Sequence, residues 1–212
     1  MSTHPRRKRR GFSAQLAFWV WVPLALAIGT TLMATHWRTL PMPAADDARL
    51  LAALAELRND DDRERWLVVH VLYAACRCSR RVIDHLVDGP RPAGLAERIL
   101  LIGATPELDA KLADTPIPVV RVQPEELAER FAIEAAPLLL VVDPAGALRY
   151  RGGYSERKQS EALHDVAIIE GLRGDAEVSA LPLFGCAVSD QLRRVLDPLG
   201  LRRAASPLES SP

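Results

Sequence analysis

The sequence predicts an α/β fold in which a mixed sheet is flanked by helices and preceded by a single N-terminal transmembrane helix. Three observations support this fold class. Apolar runs typical of buried strands alternate with helical patterns through most of the 212-residue chain. Hydrophobic residues make up 49% of the sequence, which is enough for a substantial core. A long uncharged segment precedes all of these elements.

The N-terminal segment is predicted to anchor the chain in a membrane. Residues 1–13 contain an unbroken basic run, and residues 14–34 contain no charge. An uncharged helix of that length spans roughly 30 Å of hydrocarbon. Because Lys and Arg are enriched on the cytoplasmic side, we expect residues 1–13 in the cytoplasm, residues 14–37 in the bacterial inner membrane and the remainder in the periplasm. A cleaved signal peptide is the alternative, although no small-x-small site precedes Thr35.

Charge and cysteine content exclude some functions. The net charge is zero only because the N-terminal basic run balances an acidic excess in residues 11–212, which argues against nucleic acid as a partner. Three cysteines are too few for a structural disulfide framework. In an oxidising compartment a cysteine pair can persist as a disulfide, and its reduction then requires a dedicated donor.

The exported part begins with a polar linker at residues 38–47, followed by a domain predicted over residues 48–200. An aspartate cap and a leucine stripe predict a helix that runs to about Leu57. The apolar run 66–73 predicts a buried strand, and the segment 79–88, closed by a Gly-Pro pair, predicts an amphipathic helix.

The second half of the domain continues the alternation. Apolar runs predict further strands, a proline followed by two glutamates starts one helix, and an Asp-Pro-Ala-Gly turn joins the last two strands. These strands are predicted at 98–103, 117–122, 138–142 and 147–150, and the helices at 106–113, 124–131 and 161–172. Residues 176–190 are ambiguous, and the tail 201–212 is predicted to be disordered.

Two cysteines, Cys76 and Cys78, lie at the junction of the first strand and the following helix, separated only by Arg77. Backbone N–H groups and the helix dipole at such a junction favour a thiolate, so the pair indicates redox chemistry or soft-metal binding. We expect Arg77 to help stabilise the thiolate. Cys76 lies farther from the helix body, and we expect it to be the more exposed, attacking thiol. A disulfide across one residue is strained, which predicts an oxidising pair.

The chain resembles the thioredoxin-like superfamily, and within it the membrane-anchored TlpA/ResA-like group. The resemblance rests on the Cys76-Arg77-Cys78 segment, on Ala136-Pro137 before an apolar strand, and on the closing hairpin at 143–153. It implies a thioredoxin-like mixed sheet and a cis bond at Pro137, which with Ala136 would position the partner chain. An ordinary trans proline at a strand start is the alternative. The family motif has two residues between its cysteines, whereas this chain has one.

Cys186 lies in an apolar segment directly after a glycine. One interpretation is a buried small hydrophobic side chain. The other is a third redox cysteine that resolves a mixed disulfide with Cys76 or Cys78, since the preceding glycine permits close backbone approach.

The predicted function is thiol–disulfide exchange by a membrane-anchored periplasmic domain, with no cofactor and no bound metal. Its expected partners are the thiols and disulfides of exported proteins and a membrane electron donor. A copper(I) carrier that uses the two thiolates is one alternative, and a non-catalytic thioredoxin-like adaptor is another. His70, Asp84 and Glu97 are candidate proton acceptors. The substrate protein and the direction of electron flow stay open.

Overall fold

The computed structural model describes residues 10–36, 38–158 and 160–198. The chain divides into two compact units, Met1–Arg38 and Thr39–Pro212. The first contains helix α1, Arg10–His36. None of the helices within the described residues combines the length and apolarity needed to cross a membrane. The membrane anchor predicted at residues 14–37 stays a prediction, and the tail predicted at 201–212 lies outside the described residues.

The second unit contains the α/β elements. In chain order they are α2 (Ala48–Glu56), β1 (Trp66–Tyr73), α3 (Arg77–Asp88), β2 (Leu95–Ile102), α4 (Pro106–Ala113), β3 (Val119–Val122), α5 (Pro124–Phe131), β4 (Ala135–Ala136), β5 (Leu138–Val142), β6 (Leu148–Gly152), α6 (Asp165–Arg173), β7 (Cys186–Ala187) and α7 (Asp190–Leu196).

A five-stranded mixed sheet forms the centre of this unit, in the order β3-β2-β1-β5-β6. Strands β1, β2 and β3 are parallel, and β5 runs antiparallel to both β1 and β6. Apolar side chains of α2, α5 and α7 pack on one face, and those of α3, α4 and α6 on the other. The predicted mixed sheet flanked by helices is confirmed, and its arrangement is thioredoxin-like.

Local sequence signals explain several element boundaries. Asp47 caps α2 by accepting hydrogen bonds from the backbone N–H groups of Arg49 and Leu50. Thr105 caps α4 in the same way. Ala132, in the left-handed conformation with φ 54°, ends α5 and turns the chain toward β4.

Other boundaries differ from the prediction. The predicted start of α6 at residue 161 is wrong, because the Ser160 hydroxyl accepts the Ala162 backbone N–H and His164 N–H donates to the Tyr154 carbonyl. Side-chain bonds of this kind compete with helix formation. Helix α3 begins at Arg77 rather than at residue 79. This earlier start makes Cys76 the residue that caps the helix.

Candidate functional site

The turn between β1 and α3 is fixed by hydrogen bonds at both ends. The backbone N–H of Cys76 donates to the Tyr73 carbonyl at 2.9 Å, and the Cys76 carbonyl accepts from Arg80 N–H at 3.0 Å. The buried Ser79 hydroxyl accepts the Tyr73 backbone N–H at 3.0 Å. The two cysteines of this turn are therefore held by a rigid backbone.

A cis peptide bond lies directly against this turn. The bond between Ala136 and Pro137 is cis, which confirms the isomer that the resemblance implied. The Cys76 sulfur lies 3.9 Å from the Ala136 carbonyl oxygen. The structure thus places the Cys76 sulfur beside Ala136, the residue before the cis proline, and the role of Ala136 and Pro137 in positioning a partner chain stays a prediction.

The segment that contains Cys186 pairs with the strand before the cis bond. Strand β7 runs antiparallel to β4, with Cys186 opposite Ala136. A Cβ atom on Gly185 would lie 1.9 Å from the Ala136 carbonyl oxygen and 2.6 Å from Pro137 Cδ. Only glycine fits this position without a shift of the backbone.

Further hydrogen bonds hold β7 in place. The Val188 backbone N–H donates to the Glu134 carbonyl at 2.7 Å, and the Ser189 hydroxyl donates to the Glu134 carboxylate at 2.9 Å. Leu183 and Val188, on either side of β7, are fully buried in the core. Strand β7 is therefore a fixed part of the domain.

The three cysteines form one cluster. The Cys76 sulfur lies beside Ala136, which is opposite Cys186 in the β4–β7 pair, and Cys78 follows Cys76 by two residues. The Cys78 and Cys186 thiols both lie near enough to the Cys76 thiol to shift its pKa, and all three thiols are free. Cys76 is 0% exposed, whereas Cys78 and Cys186 are partly exposed. The expectation that Cys76 is the more exposed thiol of its pair is wrong. At the start of α3 the Cys76 sulfur lies against the Ala136 carbonyl oxygen of the β4–β7 pair.

The thiols differ in acidity. The hydrogen bond from Cys76 lowers the pKa of Cys186, and Arg193 and Lys158 act in the same direction. Contact with Cys186 raises the pKa of Cys76. Contact with Cys76, together with burial, raises the pKa of Cys78. The thiolate therefore forms first at Cys186, not at the helix start.

Two cationic residues have different positions relative to the cluster. Arg77 is exposed at the first position of α3, and its role as thiolate stabiliser stays a prediction. Arg193 of α7 donates to the Tyr73 hydroxyl at 3.1 Å and to the Ala187 carbonyl at 3.3 Å. Arg193 was not among the residues that the sequence predicted for the site. The signal available was the serine at position 189, which caps α7.

Cys78 opens onto a narrow cleft. The cleft has a volume of about 30 Å³, and Pro137, Tyr154, Pro182 and Phe184 are among its walls. That volume accommodates roughly one water molecule. Cys78 therefore has little free space in front of its sulfur.

A buried polar network lies farther back on the same strand. His70, 0% exposed within β1, contacts the Tyr154 hydroxyl through Nδ1 at 2.8 Å and Glu97 Oε1 through Nε2 at 3.2 Å. Burial alone would raise the pKa of Glu97, but hydrogen bonds from His70 and Arg91 outweigh it and lower the pKa to about 2. His70 and Glu97 are thus neighbours.

Arg91 joins this network to α6. Its guanidinium pairs with Glu97 on one side and with the fully buried Asp165 on the other. His85 Nε2 lies 2.8 Å from the same Asp165 carboxylate. Asp84, the third candidate proton acceptor, is instead exposed and pairs with Lys111. Its assignment as a proton acceptor beneath the cysteines is wrong because it lies on the outer face of α3.

The described residues contain no group of three or more His, Cys, Asp or Glu side chains arranged to hold a metal ion. A copper(I) carrier that uses only the two thiolates of Cys76 and Cys78 needs no such group and stays a prediction.

Comparison with known proteins bears on the fold. No protein-family model and no curated protein sequence matches this chain. An uncharacterized conserved protein from Geobacillus kaustophilus is similar in structure, with a TM-score of 0.51 and 16% identity over 72% of this chain and 90% of that chain. A hypothetical protein from Sinorhizobium meliloti has a TM-score of 0.49 and 17% identity over 72% and 91% of the two chains.

A weaker likeness is to the thioredoxin domain of a thiol-disulfide oxidoreductase from Bacteroides vulgatus, with a TM-score of 0.34 and 17% identity over 42% of this chain and 70% of that chain. Of these three likenesses only the one to the Geobacillus kaustophilus protein has a TM-score above 0.5, and at 16% identity it supports the fold alone. Activity has to be argued from the site itself.

Proposed function

We propose that this domain exchanges thiols and disulfides with other proteins through Cys76, Cys78 and Cys186. The observation that carries the proposal is the position of the Cys76 sulfur, 3.9 Å from the Ala136 carbonyl oxygen beside the cis Ala136–Pro137 bond, with Cys186 opposite Ala136 in the β4–β7 pair. Exchange requires a thiolate within reach of a second sulfur, and the cluster provides both. The thioredoxin-like arrangement of the sheet supports the same chemistry by analogy of fold.

The reaction proceeds in two balanced steps. A cluster thiolate attacks one sulfur of a partner disulfide, which forms a mixed disulfide and releases one partner thiolate. A second cluster thiol then attacks the mixed disulfide, loses its proton and releases the other partner thiolate. The partner gains two electrons, and the domain keeps a disulfide. A dithiol donor returns the domain to its starting state, and in the cell we assign that role to a membrane electron donor.

Serine variants of the three cysteines test this function. We expect the wild-type chain to accelerate the reduction of insulin by dithiothreitol, and the Cys76→Ser chain to give only the uncatalysed rate, because Cys76 is the thiol that contacts both others. Circular dichroism of each variant controls for folding. If Cys76→Ser, Cys78→Ser and Cys186→Ser all keep wild-type activity, the exchange function is wrong and the non-catalytic adaptor is supported.

We propose a periplasmic location and a membrane-anchored TlpA/ResA-like type for this domain on the sequence alone, from the basic run and the uncharged residues 14–34. The full chain with alkaline phosphatase fused to its C-terminus tests this in a Gram-negative host. We expect active phosphatase that stays with the membranes after alkaline carbonate extraction. Inactive phosphatase in the soluble cytoplasmic fraction would contradict the location.

A further inference from the structure

Cys76 cannot meet a partner protein directly. Its side chain is 0% exposed, and its sulfur lies 3.9 Å from the carbonyl oxygen of Ala136 in β4, which pairs with β7. The segment around β7 is fixed in turn, because Leu183 and Val188 are fully buried and Val188 is bonded to Glu134. Exchange requires direct contact between two sulfurs. Cys76 therefore reacts only with the two thiols that it touches.

Access of a partner protein to the Cys78 thiol is restricted in a different way. Its cleft of about 30 Å³ is closed by Pro182 and Phe184, which belong to the segment leading into β7. A partner disulfide brings two sulfurs and their flanking backbone, which need far more room than roughly one water molecule. The segment that leads into β7 thus narrows the approach to Cys78.

Cys186 is partly exposed, in contrast to the fully buried Cys76. It belongs to β7, the partly exposed strand of the two-stranded β4–β7 sheet, whereas Ala135 and Ala136 of β4 are buried. Cys76 and Arg193 both lower the pKa of Cys186, so this thiol ionises most readily. An exposed thiol with a lowered pKa is the reactive kind.

We propose that Cys186 is the nucleophile that attacks the partner disulfide and that buried Cys76 is the resolving thiol. This inference rests on the proposed exchange function and assigns an order to its thiols. The Cys186 thiolate forms a mixed disulfide with one partner sulfur and expels the other as a thiolate. Cys76 then loses its proton, attacks the Cys186 sulfur, and forms the Cys76–Cys186 disulfide as the second partner thiolate leaves.

The contact between Cys76 and Cys78 adds an internal step. Cys78, once deprotonated, attacks the Cys76 sulfur, forms the Cys76–Cys78 disulfide and releases Cys186 as a thiolate. No electrons enter or leave the domain in this step. This step regenerates the Cys186 thiolate. An external dithiol donor is then needed to reduce the Cys76–Cys78 disulfide.

Trapping the mixed disulfide tests the order of attack. The reduced full-length Cys76→Ser chain, which lacks the resolving thiol, is mixed with the aromatic disulfide 5,5′-dithiobis(2-nitrobenzoate), and the adduct is located by peptide mapping. We expect a stable adduct on Cys186. In the matched Cys76→Ser/Cys186→Ser chain, we expect Cys78 to react roughly tenfold more slowly.

The outcomes separate this inference from the function on which it rests. A first adduct on Cys78, or a Cys186→Ser chain that reduces insulin at the wild-type rate, would overturn the assignment of Cys186 while leaving the exchange function intact. A wild-type chain that forms no disulfide among its three cysteines in glutathione disulfide would overturn both. Unfolding midpoints of the serine variants show whether β7 still packs against the rest of the domain. The insulin assay is repeated with Cys186→Ala, which replaces the thiol by a second side chain.

Discussion

Two clusters of polar side chains lie along strand β1, one of ionised groups and one of thiols, and they are stabilised in opposite ways. At the middle of the strand, His70 lies in a network with Glu97 and Arg91, and no buried side-chain nitrogen or oxygen of the described residues lacks a hydrogen-bond partner. Just past its end, the Cys76 thiol donates to the Ala136 carbonyl oxygen and lies near the thiols of Cys78 and Cys186. Only the second cluster contains side chains that can form and exchange covalent bonds, because its thiols can become disulfides.

The difference follows from charge. Ionised groups inside a protein are stable only while each has its counterion, so the network is fixed by its own electrostatics. Thiols are nearly apolar when protonated, and burying them costs little. Breaking the network should therefore cost stability, whereas breaking the thiol cluster should cost mainly reactivity.

Removal of Arg91 should have the largest effect on stability. In Arg91→Met the carboxylates of Glu97 and Asp165 lose their shared cation while they stay buried. We expect the free energy of unfolding, measured in urea, to fall by about 3–5 kcal/mol. Arg130→Met is the matched control because Arg130 is 45% exposed beside Glu126, and we expect it to cost less than about 1 kcal/mol. Equal losses in the two variants would mean that the network is not what stabilises β1.

The pH dependence of stability should isolate Glu97. Its pKa of about 2 in the folded state lies below the ordinary value of 4.5. The unfolded chain therefore binds the proton first, and the stabilisation is complete above about pH 4.5 and is lost as the pH falls toward 2. We expect the stability difference between wild type and Glu97→Gln to narrow by about 2 kcal/mol between pH 6 and pH 3. A constant difference across this range would contradict the depressed pKa.

The two clusters were not equally predictable from the sequence. Strand β1 has the predicted bounds, because an apolar run buried on both faces carries its own signal. The network could not be predicted, since nothing in the sequence joins Arg91 to Asp165 in a later helix. The start of α3 was placed two residues late because Cys76, at the cap position, makes no side-chain capping bond and gives no Ser or Asp signal.

The β4–β7 pair explains why the accessible thiol was assigned wrongly. Strands of two residues have no periodicity, and Ala135–Ala136 and Cys186–Ala187 are far apart in the chain. The local clue was Gly185 before Cys186, which favoured a redox role for that cysteine. The clue could not show that Cys76 is fully buried while Cys186 stays partly exposed.

Substitution of Gly185 should have the smallest effect on stability and the most direct effect on the thiols. In Gly185→Ala the new Cβ would meet the Ala136 carbonyl oxygen at 1.9 Å, so β7 must shift away from β4. We expect a loss of about 1–3 kcal/mol in the free energy of unfolding and faster alkylation of Cys76 by iodoacetamide in the native state. Gly174→Ala is the matched control, because a Cβ there meets its nearest atom, the Glu170 carbonyl oxygen, at 3.5 Å, an ordinary contact. If iodoacetamide alkylates Cys76 as slowly in Gly185→Ala as in Gly174→Ala, then β7 does not shield the Cys76 thiol.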